Sequence, residues 1–306
     1  MMRGDFDAWT LQAQQAVEAA LEAWVPAQAP AGLGDAMRYG VLDGGKRLRP
    51  LLVLAASEAV QGHSEAALRA AVAVELIHAY SLVHDDMPCM DNDVLRRGKP
   101  TVHVQYGVAQ AMLAGDAMQA LAFEVLTPTL TPSPTPSLSP ATLPAALQAR
   151  LCGLLARSAG HDGMAGGQAI DLASIGLTLD ESALRDMHRR KTGALLQASV
   201  LMGAACGDTD AAAWAGLSDY GAAIGLAFQV IDDILDVTQA SETLGKTAGK
   251  DEHHNKPNFV SLMGLQGARD YAFGLREQAH VALARSGLAQ AARLAMLADK
   301  VVERDS

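Results

Sequence analysis

Cysteine, aromatic residues and positive charge are all scarce in this chain of 306 residues. The three cysteines (Cys89, Cys152 and Cys206) lack the spacing of a disulfide framework or a zinc site, which favours free thiols in a reducing compartment. Aromatic residues make up only 4% of the chain. A net charge of −10 argues against a nucleic-acid partner held by a general basic field, although a local cluster of bases can still bind an anion.

Long uninterrupted apolar segments are also missing. The N-terminal sequence MMRGDFDAWT carries Asp5 and Asp7 where a signal peptide would need an apolar core. No apolar run approaches the roughly 18 residues needed to cross a membrane. We therefore expect a cytoplasmic protein without stable membrane insertion.

Apolar residues recur at spacings of three and four over most of the chain, which predicts an all-α fold. Ala, Leu, Gly and Val dominate, so these helices should pack through small side chains. Residues 127–144 interrupt the pattern with six of the twelve prolines. We expect an exposed loop there, between two helices of one domain spanning residues 1–306; an interdomain linker is the alternative.

Four aspartates lie within ten residues in HDDMPCMDND, residues 84–93. The preceding segment has helical periodicity, and Pro88 should distort or end that helix because proline cannot donate to a carbonyl one turn back. The chain can then bring Asp91 back toward Asp85. Three carboxylates around one point suit Mg²⁺, which prefers oxygen ligands and completes its shell with water and phosphate. Asp85 and Asp91 are the two candidate ligands that this turn would bring together.

A second acidic motif, FQVIDDILDV, contains Asp232, Asp233 and Asp236. Helical geometry places Asp232 and Asp236 on one face, one turn apart, with Gln229 on the same side. The surrounding apolar residues predict a helix that is buried nearly all round. Because buried carboxylates are costly unless they are paired or bound to metal, this motif also indicates a metal site.

Basic residues cluster in four segments. GGKRLRP carries Lys46, Arg47 and Arg49 just before Pro50, the expected start of a helix, and glycines, bases and a helix N-terminus together favour anion binding. A basic surface turn is the alternative there, and a solvated acidic helix end neutralised by nearby arginines is the alternative for the first Asp motif. The other segments supply Arg96, Arg97, Lys191, Thr192, Lys246, Lys250 and Lys256. ASETLGKT is not a P-loop, since Ala240 replaces its first glycine and no buried strand precedes it.

The motifs GGKRLRP, HDDMPCMDNDVLRRGKPT, GMAGGQAIDL, HRRKTGALL, FQVIDDILDV and LGKTAGKD occur in an order that resembles the all-trans short-chain isoprenyl diphosphate synthases. The bacterial farnesyl diphosphate synthase (geranyltranstransferase) type is the nearest match, from about Asp35 to the C-terminus. The resemblance implies the isoprenoid synthase fold, with antiparallel helices around a deep central cavity, and a homodimer. Val94 departs from the aspartate that relatives often carry, and the proline-rich segment is longer than expected.

The resemblance also implies the site and its ligands. Isopentenyl diphosphate and an allylic diphosphate are the expected substrates, with three Mg²⁺ ions per site and Mn²⁺ as the alternative metal. The expected metal ligands are Asp85, Asp86, Asp91, Asp232 and Asp236. The expected isopentenyl diphosphate site comprises Lys46, Arg49, His78 and Arg97. The expected allylic diphosphate site comprises Arg96, Lys191, Thr192, Gln229, Lys246 and Lys256.

The implied reaction ionises dimethylallyl or geranyl diphosphate, condenses the cation with isopentenyl diphosphate and eliminates a proton. Tyr80 and Ser81 precede Asp85 by five and four residues, and an aromatic at the Tyr80 position closes the pocket in relatives that make farnesyl diphosphate. Farnesyl diphosphate is therefore the expected product, with geranylgeranyl diphosphate as the alternative. A terpene cyclase would not need the GGKRLRP segment. A non-catalytic partner subunit would typically lose an Asp motif, and a purely structural helical protein would leave both acidic clusters unexplained.

Overall fold

The predicted all-α class is confirmed. A computed structural model of the chain describes residues 3–42, 44–127, 143–177, 179–238 and 258–303. The helices of these ranges are α1 (Arg3–Trp24), α2 (Leu33–Val41), α3 (Leu48–Ala59), α4 (Ser64–Asp85), α5 (Val102–Tyr106), α6 (Val108–Val125), α7 (Ala145–Ala159), α8 (Met164–Ala173), α9 (Glu181–His188), α10 (Ala194–Ala205), α11 (Ala211–Thr238), α12 (Phe259–Arg285) and α13 (Ala292–Val302). A short 3₁₀ turn, Pro30–Gly32, precedes α2.

Helix α4 lies at the centre of the bundle, where it packs against α3, α6 and α10. Its residues Val72, Val74, Leu76 and Ile77 have no exposed surface. Among the described helices it alone is long and apolar enough to cross a membrane, but 72% of its most apolar window is buried, as in the core helix of a globular protein. The second long core helix, α11, packs against α10 and α12.

Helix α4 ends at Asp85, three residues before Pro88, as the position of that proline predicts. The chain then turns back, and the backbone N–H of Asp91 donates to the carbonyl of Asp85 at 2.9 Å. A ribbon of two very short antiparallel strands follows, β1 (Leu95–Arg96) and β2 (Lys99–Pro100). The helical periodicity gave no sign of this ribbon, which brings Arg96 and Arg97 back over the end of α4.

Between α9 and α10 the helix widens into one π-helical turn, Arg189–Gly193. Glycines let this turn approach α11 closely: a Cβ at Gly225 would lie 2.7 Å from the Cα of Gly193. Because π turns change the direction in which side chains point, they often occur at functional sites. Lys191 and Thr192 lie in this turn and are thereby placed beside the second Asp motif.

Three expectations need correction or fall outside the described ranges. Helix α3 begins at Leu48, two residues before Pro50, which the first turn of a helix tolerates. The helix of the second Asp motif is not buried all round, because Val237 is 55% exposed. The predicted loop at 127–144 lies almost wholly outside the described residues, which stop at 127 and resume at 143.

Candidate active site

A cavity of about 580 Å³ opens at the end of α4 where the first Asp motif begins. Its wall is built from α4, α8, the π turn, α11 and the start of α3. The structure thereby brings residues from distant parts of the sequence to one place. Ten of the predicted site residues line this cavity: Arg49, His78, Tyr80, Ser81, Asp85, Arg96, Arg97, Lys191, Thr192 and Asp232.

The carboxyl group of Asp85 has a perturbed proton affinity. Burial raises its pKa from 3.8 to about 6, opposed by the positive charge of Lys191 and reinforced by the negative charge of Asp91. A carboxylate whose charge is this poorly compensated by the protein attracts a cation. The electrostatics therefore fit a metal ligand at Asp85.

Asp86, the next residue, faces a different partner. It is 2% exposed, and both of its carboxylate oxygens accept hydrogen bonds from Arg96, at 2.7 to 3.1 Å. Burial raises the pKa of Asp86, while Arg96 opposes the increase. Neutralisation by an arginine, the alternative for the whole acidic cluster, is thus realised at this aspartate. Metal ligation by Asp86 stays a prediction.

Lys191 projects from the π turn and is held by Asp171 of α8, with 2.6 Å between Nζ and Oδ2. Asp171 is 5% exposed, so this ion pair is largely shielded from water. Lys191 also lies close enough to Asp85 to lower the pKa of that residue. The GGQAIDL segment that carries Asp171 therefore fixes one of the predicted diphosphate ligands.

A chain of hydrogen bonds orders the far wall of the cavity. The Thr192 hydroxyl donates to Oε1 of Gln229 at 2.9 Å, and Nε2 of Gln229 donates to Asp233 at 2.9 Å. The other oxygen of Asp233 accepts from the backbone N–H of Phe259 at 2.8 Å, at the start of α12. Asp233 thus has a structural role within the second motif, whereas Asp232 lines the cavity and Asp236 lies half-buried one turn further along α11.

The residues predicted to bind isopentenyl diphosphate lie close together in the structure. Lys46, Arg49, His78 and Arg97 all border a second cavity of about 640 Å³, and the last three border the first cavity too. Arg97 donates to the carbonyl of Gly44 at 2.5 Å and lies against Gly45, where a side chain would collide with it. The predicted anion-binding groups are therefore contiguous.

The pKa of His78 reflects its burial and the positive charges around it. Burial lowers its pKa well below 6.5, and the charges of Arg49 and Arg97 lower it further. The imidazole is consequently neutral at neutral pH. A bound anion would reverse part of this shift, because negative charge favours the protonated ring.

The two residues predicted to set chain length lie in the cavity wall. Tyr80 lies beside Gln119 of α6, and its ring meets that of His84 edge to face, with centroids 5.7 Å apart. Ser81 donates to the carbonyl of His78 at 2.8 Å, so its hydroxyl is satisfied within α4. Tyr80 is therefore the bulkier obstacle of the two.

Two residues predicted to bind the allylic diphosphate, Lys246 and Lys256, lie outside the described residues.

The cavity also contains polar residues that the sequence analysis did not name as site residues. Gln168 lines the cavity with both amide atoms buried and without a hydrogen-bond partner among the described residues. Gln168 and Asp171 both belong to GGQAIDL, a segment whose polar residues within an apolar helix were the available signal.

Within the described ranges, no three His, Cys, Asp or Glu side chains converge closely enough to enclose a metal ion by themselves. The expected convergence of three carboxylates on one point is therefore not found among the described side chains. An ion such as Mg²⁺ needs only one or two protein carboxylates, because it completes its shell with water and substrate phosphate. The arrangement does not fit an all-protein cage of the calcium type. The site thus combines acids, bases and an open cavity, an arrangement suited to an anionic ligand that binds with a metal ion.

The comparison with known proteins agrees with this geometry. Residues 30–284 match the polyprenyl synthetase family. Geranylgeranyl pyrophosphate synthase 9 of Arabidopsis thaliana, a chloroplastic enzyme, is 44% identical over 98% of this chain and 82% of its own length. An FPP/GFPP synthase from Zymomonas mobilis is 38% identical, with a TM-score of 0.83 over 98% of this chain and all of its own. A geranyltransferase from Helicobacter pylori, solved with magnesium and isoprenyl diphosphate, is 33% identical, with a TM-score of 0.81 over 96% of this chain and 95% of its own.

The fold and cavity define a helical synthase with the isoprenoid synthase fold. The chain belongs to the polyprenyl synthetase family. It is a trans-prenyltransferase that makes short isoprenoid diphosphates, as the recognised motifs implied.

Proposed function

We propose that this enzyme condenses isopentenyl diphosphate with dimethylallyl or geranyl diphosphate to give farnesyl diphosphate and diphosphate. The observation that carries the proposal is the single cavity in which Asp85 and Asp232 face a basic wall containing Arg49 and Arg97. Two anionic substrates need two such sets of cations. The first cavity would take the allylic diphosphate, and the basic turn at Lys46 would take isopentenyl diphosphate.

In the ionisation step, negative charge develops on the departing diphosphate. Lys191 and Arg96 would stabilise that charge, which is where preorganised cations lower a barrier most effectively. At an effective dielectric constant near 20, one charge contact at about 4 Å contributes roughly 4 kcal/mol before desolvation is subtracted. Bound Mg²⁺, held by Asp85, Asp86, Asp91, Asp232 and Asp236, would supply Lewis-acid stabilisation of the same leaving group.

The allylic cation must then be protected from water. The Thr192 hydroxyl uses its hydrogen on Gln229, so its oxygen lone pairs are left for the cavity. Phe228 and Met164 contribute apolar surface to the wall, which excludes water from the reacting carbons. The isopentenyl double bond attacks the cation, and the departing diphosphate takes the proton that is lost when the new alkene forms.

Product length follows from the depth of the pocket. Tyr80, whose ring lines the cavity, would block extension beyond fifteen carbons. The alternative product is geranylgeranyl diphosphate, and the 44% identity to a plant geranylgeranyl pyrophosphate synthase favours it. We also propose a cytoplasmic homodimer, with Mn²⁺ able to replace the three Mg²⁺ ions.

A product assay with isopentenyl and geranyl diphosphate tests the proposal, run with Mg²⁺, with Mn²⁺ and with EDTA, and read by mass spectrometry. The expected result is a metal-dependent fifteen-carbon diphosphate. A twenty-carbon product would retain the chemistry and reject the role of Tyr80. The variants Asp85→Ala and Asp232→Ala should lose turnover by orders of magnitude while keeping the helical circular dichroism of the wild type. Normal turnover in both variants would reject the metal assignment.

A further inference from the structure

The first helix holds the turn that carries Lys46. Nε2 of Gln14 donates to the Lys46 carbonyl at 3.0 Å. One helical turn later, Glu18 accepts from Nε of Arg47 at 2.6 Å and from Nη2 at 3.1 Å. Residues four apart lie on one face of a helix, so α1 presents both contacts to the same turn. All of α1 precedes residue 30, where the family match begins.

Arg47 itself is committed to the protein interior. It is 5% exposed, and besides the Glu18 contacts it donates to Glu75 of α4 at 2.6 Å and to the Val41 carbonyl at 2.7 Å. A guanidinium held by four such bonds is not available to a diphosphate. Arg47 instead joins α1, the turn and α4, and Glu75 lies one helical turn before His78.

The backbone of the turn needs this support. Gly44, Gly45 and Arg47 all have positive φ angles, of 72°, 126° and 48°. Glycine adopts such angles readily, but arginine does so only where its surroundings hold it. The resulting bend leaves Lys46 exposed and turns Arg49 inward, so that both border the same cavity.

We propose that Gln14 and Glu18 are positioning residues for isopentenyl diphosphate: α1 holds residues 44–47 in the conformation that presents Lys46 and Arg49 to the diphosphate. This inference rests on the proposed function, which places isopentenyl diphosphate at that turn. Without the α1 contacts the turn samples other conformations, and apparent affinity falls with the fraction that remains competent. A turn that is competent one tenth of the time raises the apparent dissociation constant about tenfold.

Steady-state kinetics of Glu18→Gln and Gln14→Ala test the inference. We expect Glu18→Gln to raise KM for isopentenyl diphosphate about tenfold and Gln14→Ala to raise it less, with kcat and the KM for geranyl diphosphate nearly unchanged. Hydrogen exchange at residues 44–50 should accelerate in Glu18→Gln and return to the wild-type rate at saturating isopentenyl diphosphate.

Two matched controls separate positioning from stability. Glu22→Gln changes another α1 glutamate, whose ion pair reaches Arg38 at 3.4 Å instead of the turn. Glu65→Gln removes the partner of Arg69, a buried arginine elsewhere on α4, at 2.7 Å. Both controls should keep the wild-type KM for isopentenyl diphosphate, even where the unfolding temperature falls.

The variant Lys46→Ala distinguishes failure of the positioning role of α1 from failure of the proposed isopentenyl diphosphate site. If Lys46→Ala raises KM for isopentenyl diphosphate and Glu18→Gln does not, the positioning role of α1 is rejected and the proposed site survives. If Lys46→Ala also leaves that KM unchanged, the proposed site itself is rejected. Equal increases of both substrate KM values in Glu18→Gln would mean a general structural effect and would overturn the inference.

Discussion

Replacing Asp85 by asparagine should stabilise the metal-free protein while it abolishes turnover. Burial raises the pKa of Asp85 from 3.8 to about 6, so the folded protein holds the charged carboxylate less favourably than the unfolded chain does. The penalty on stability is absent well below pH 3.8, grows as pH rises between the unfolded and folded pKa values, and is complete above pH 6. Asparagine carries no charge at any of these pH values and avoids the penalty.

The magnitude follows from the size of the shift. A carboxyl pKa that rises from 3.8 in the unfolded chain to about 6 in the folded protein corresponds to about 3 kcal/mol at pH 8 and about half of that at pH 5. Because the Asp85 side chain is still partly exposed, water screens part of the penalty. We therefore expect Asp85→Asn to raise the free energy of unfolding by about 1–3 kcal/mol at pH 8 and by clearly less at pH 5.

Urea unfolding in EDTA at pH 5, 6, 7 and 8 measures this difference. Asp116→Asn, which removes an exposed carboxylate on α6, serves as the control and should show no comparable trend. Added Mg²⁺ with inorganic diphosphate should then stabilise the wild type more than Asp85→Asn, since a ligand stabilises the state that binds it. A variant that is no more stable than the wild type at pH 8, or a stability difference that does not change with pH, would refute the reasoning.

Four further predictions concern residues in and around the cavity. Tyr80→Ala should lengthen the product, because it removes the ring from the cavity wall, and chromatography of the dephosphorylated products would show it. An unchanged distribution of products would mean that Tyr80 does not form the pocket floor. His78 should titrate well below pH 6.5 in the free enzyme and at higher pH once inorganic diphosphate and Mg²⁺ are bound, as followed by the NMR shift of its ring; an identical pKa in both states would place the anion elsewhere. Asp233→Asn should lower the free energy of unfolding by about 1–3 kcal/mol. Each oxygen of Asp233 now accepts from one N–H donor, and in the variant one of these donors would face the amide N–H of asparagine. Asp236→Asn should instead weaken Mg²⁺-dependent activity at unchanged stability, and the reverse result would exchange the roles of these two aspartates.

The helical architecture could be predicted from the sequence because its apolar residues keep a helical period and its breakers are unambiguous. Pro88 predicted the end of α4. For Asp91 to approach Asp85 the chain had to turn back there, and the structure shows this turn. The π turn that displays Lys191 had no such signal. Its geometry depends on the close approach of Gly193 to Gly225, which are 32 residues apart and meet only in the folded protein.

The composition of the site could be predicted better than its pairings. Sequence reasoning treated the bases in GGKRLRP as one anion-binding cluster, yet Arg47 forms a buried ion-pair network with Glu18 and Glu75. Neither glutamate belongs to a motif, and both lie far from Arg47 in the sequence. Pairings of this kind are set by tertiary contacts, so a pattern of residue types along the chain does not contain them.

The same pairings bear on how the enzyme binds a highly charged substrate. Two of the cations predicted to grip the allylic diphosphate, Arg96 and Lys191, already have acidic partners, Asp86 and Asp171. Both acids are nearly inaccessible to water, so each pair holds a cation in place without leaving a buried charge uncompensated. A diphosphate that reaches these cations meets side chains whose conformational freedom is already lost, which lowers the entropic cost of binding. Asp85 is the contrasting case, because burial raises its pKa to about 6 although the charge of Lys191 opposes the increase. The fold thus prepares its cations for the substrate and leaves the charge of Asp85 for the metal to neutralise.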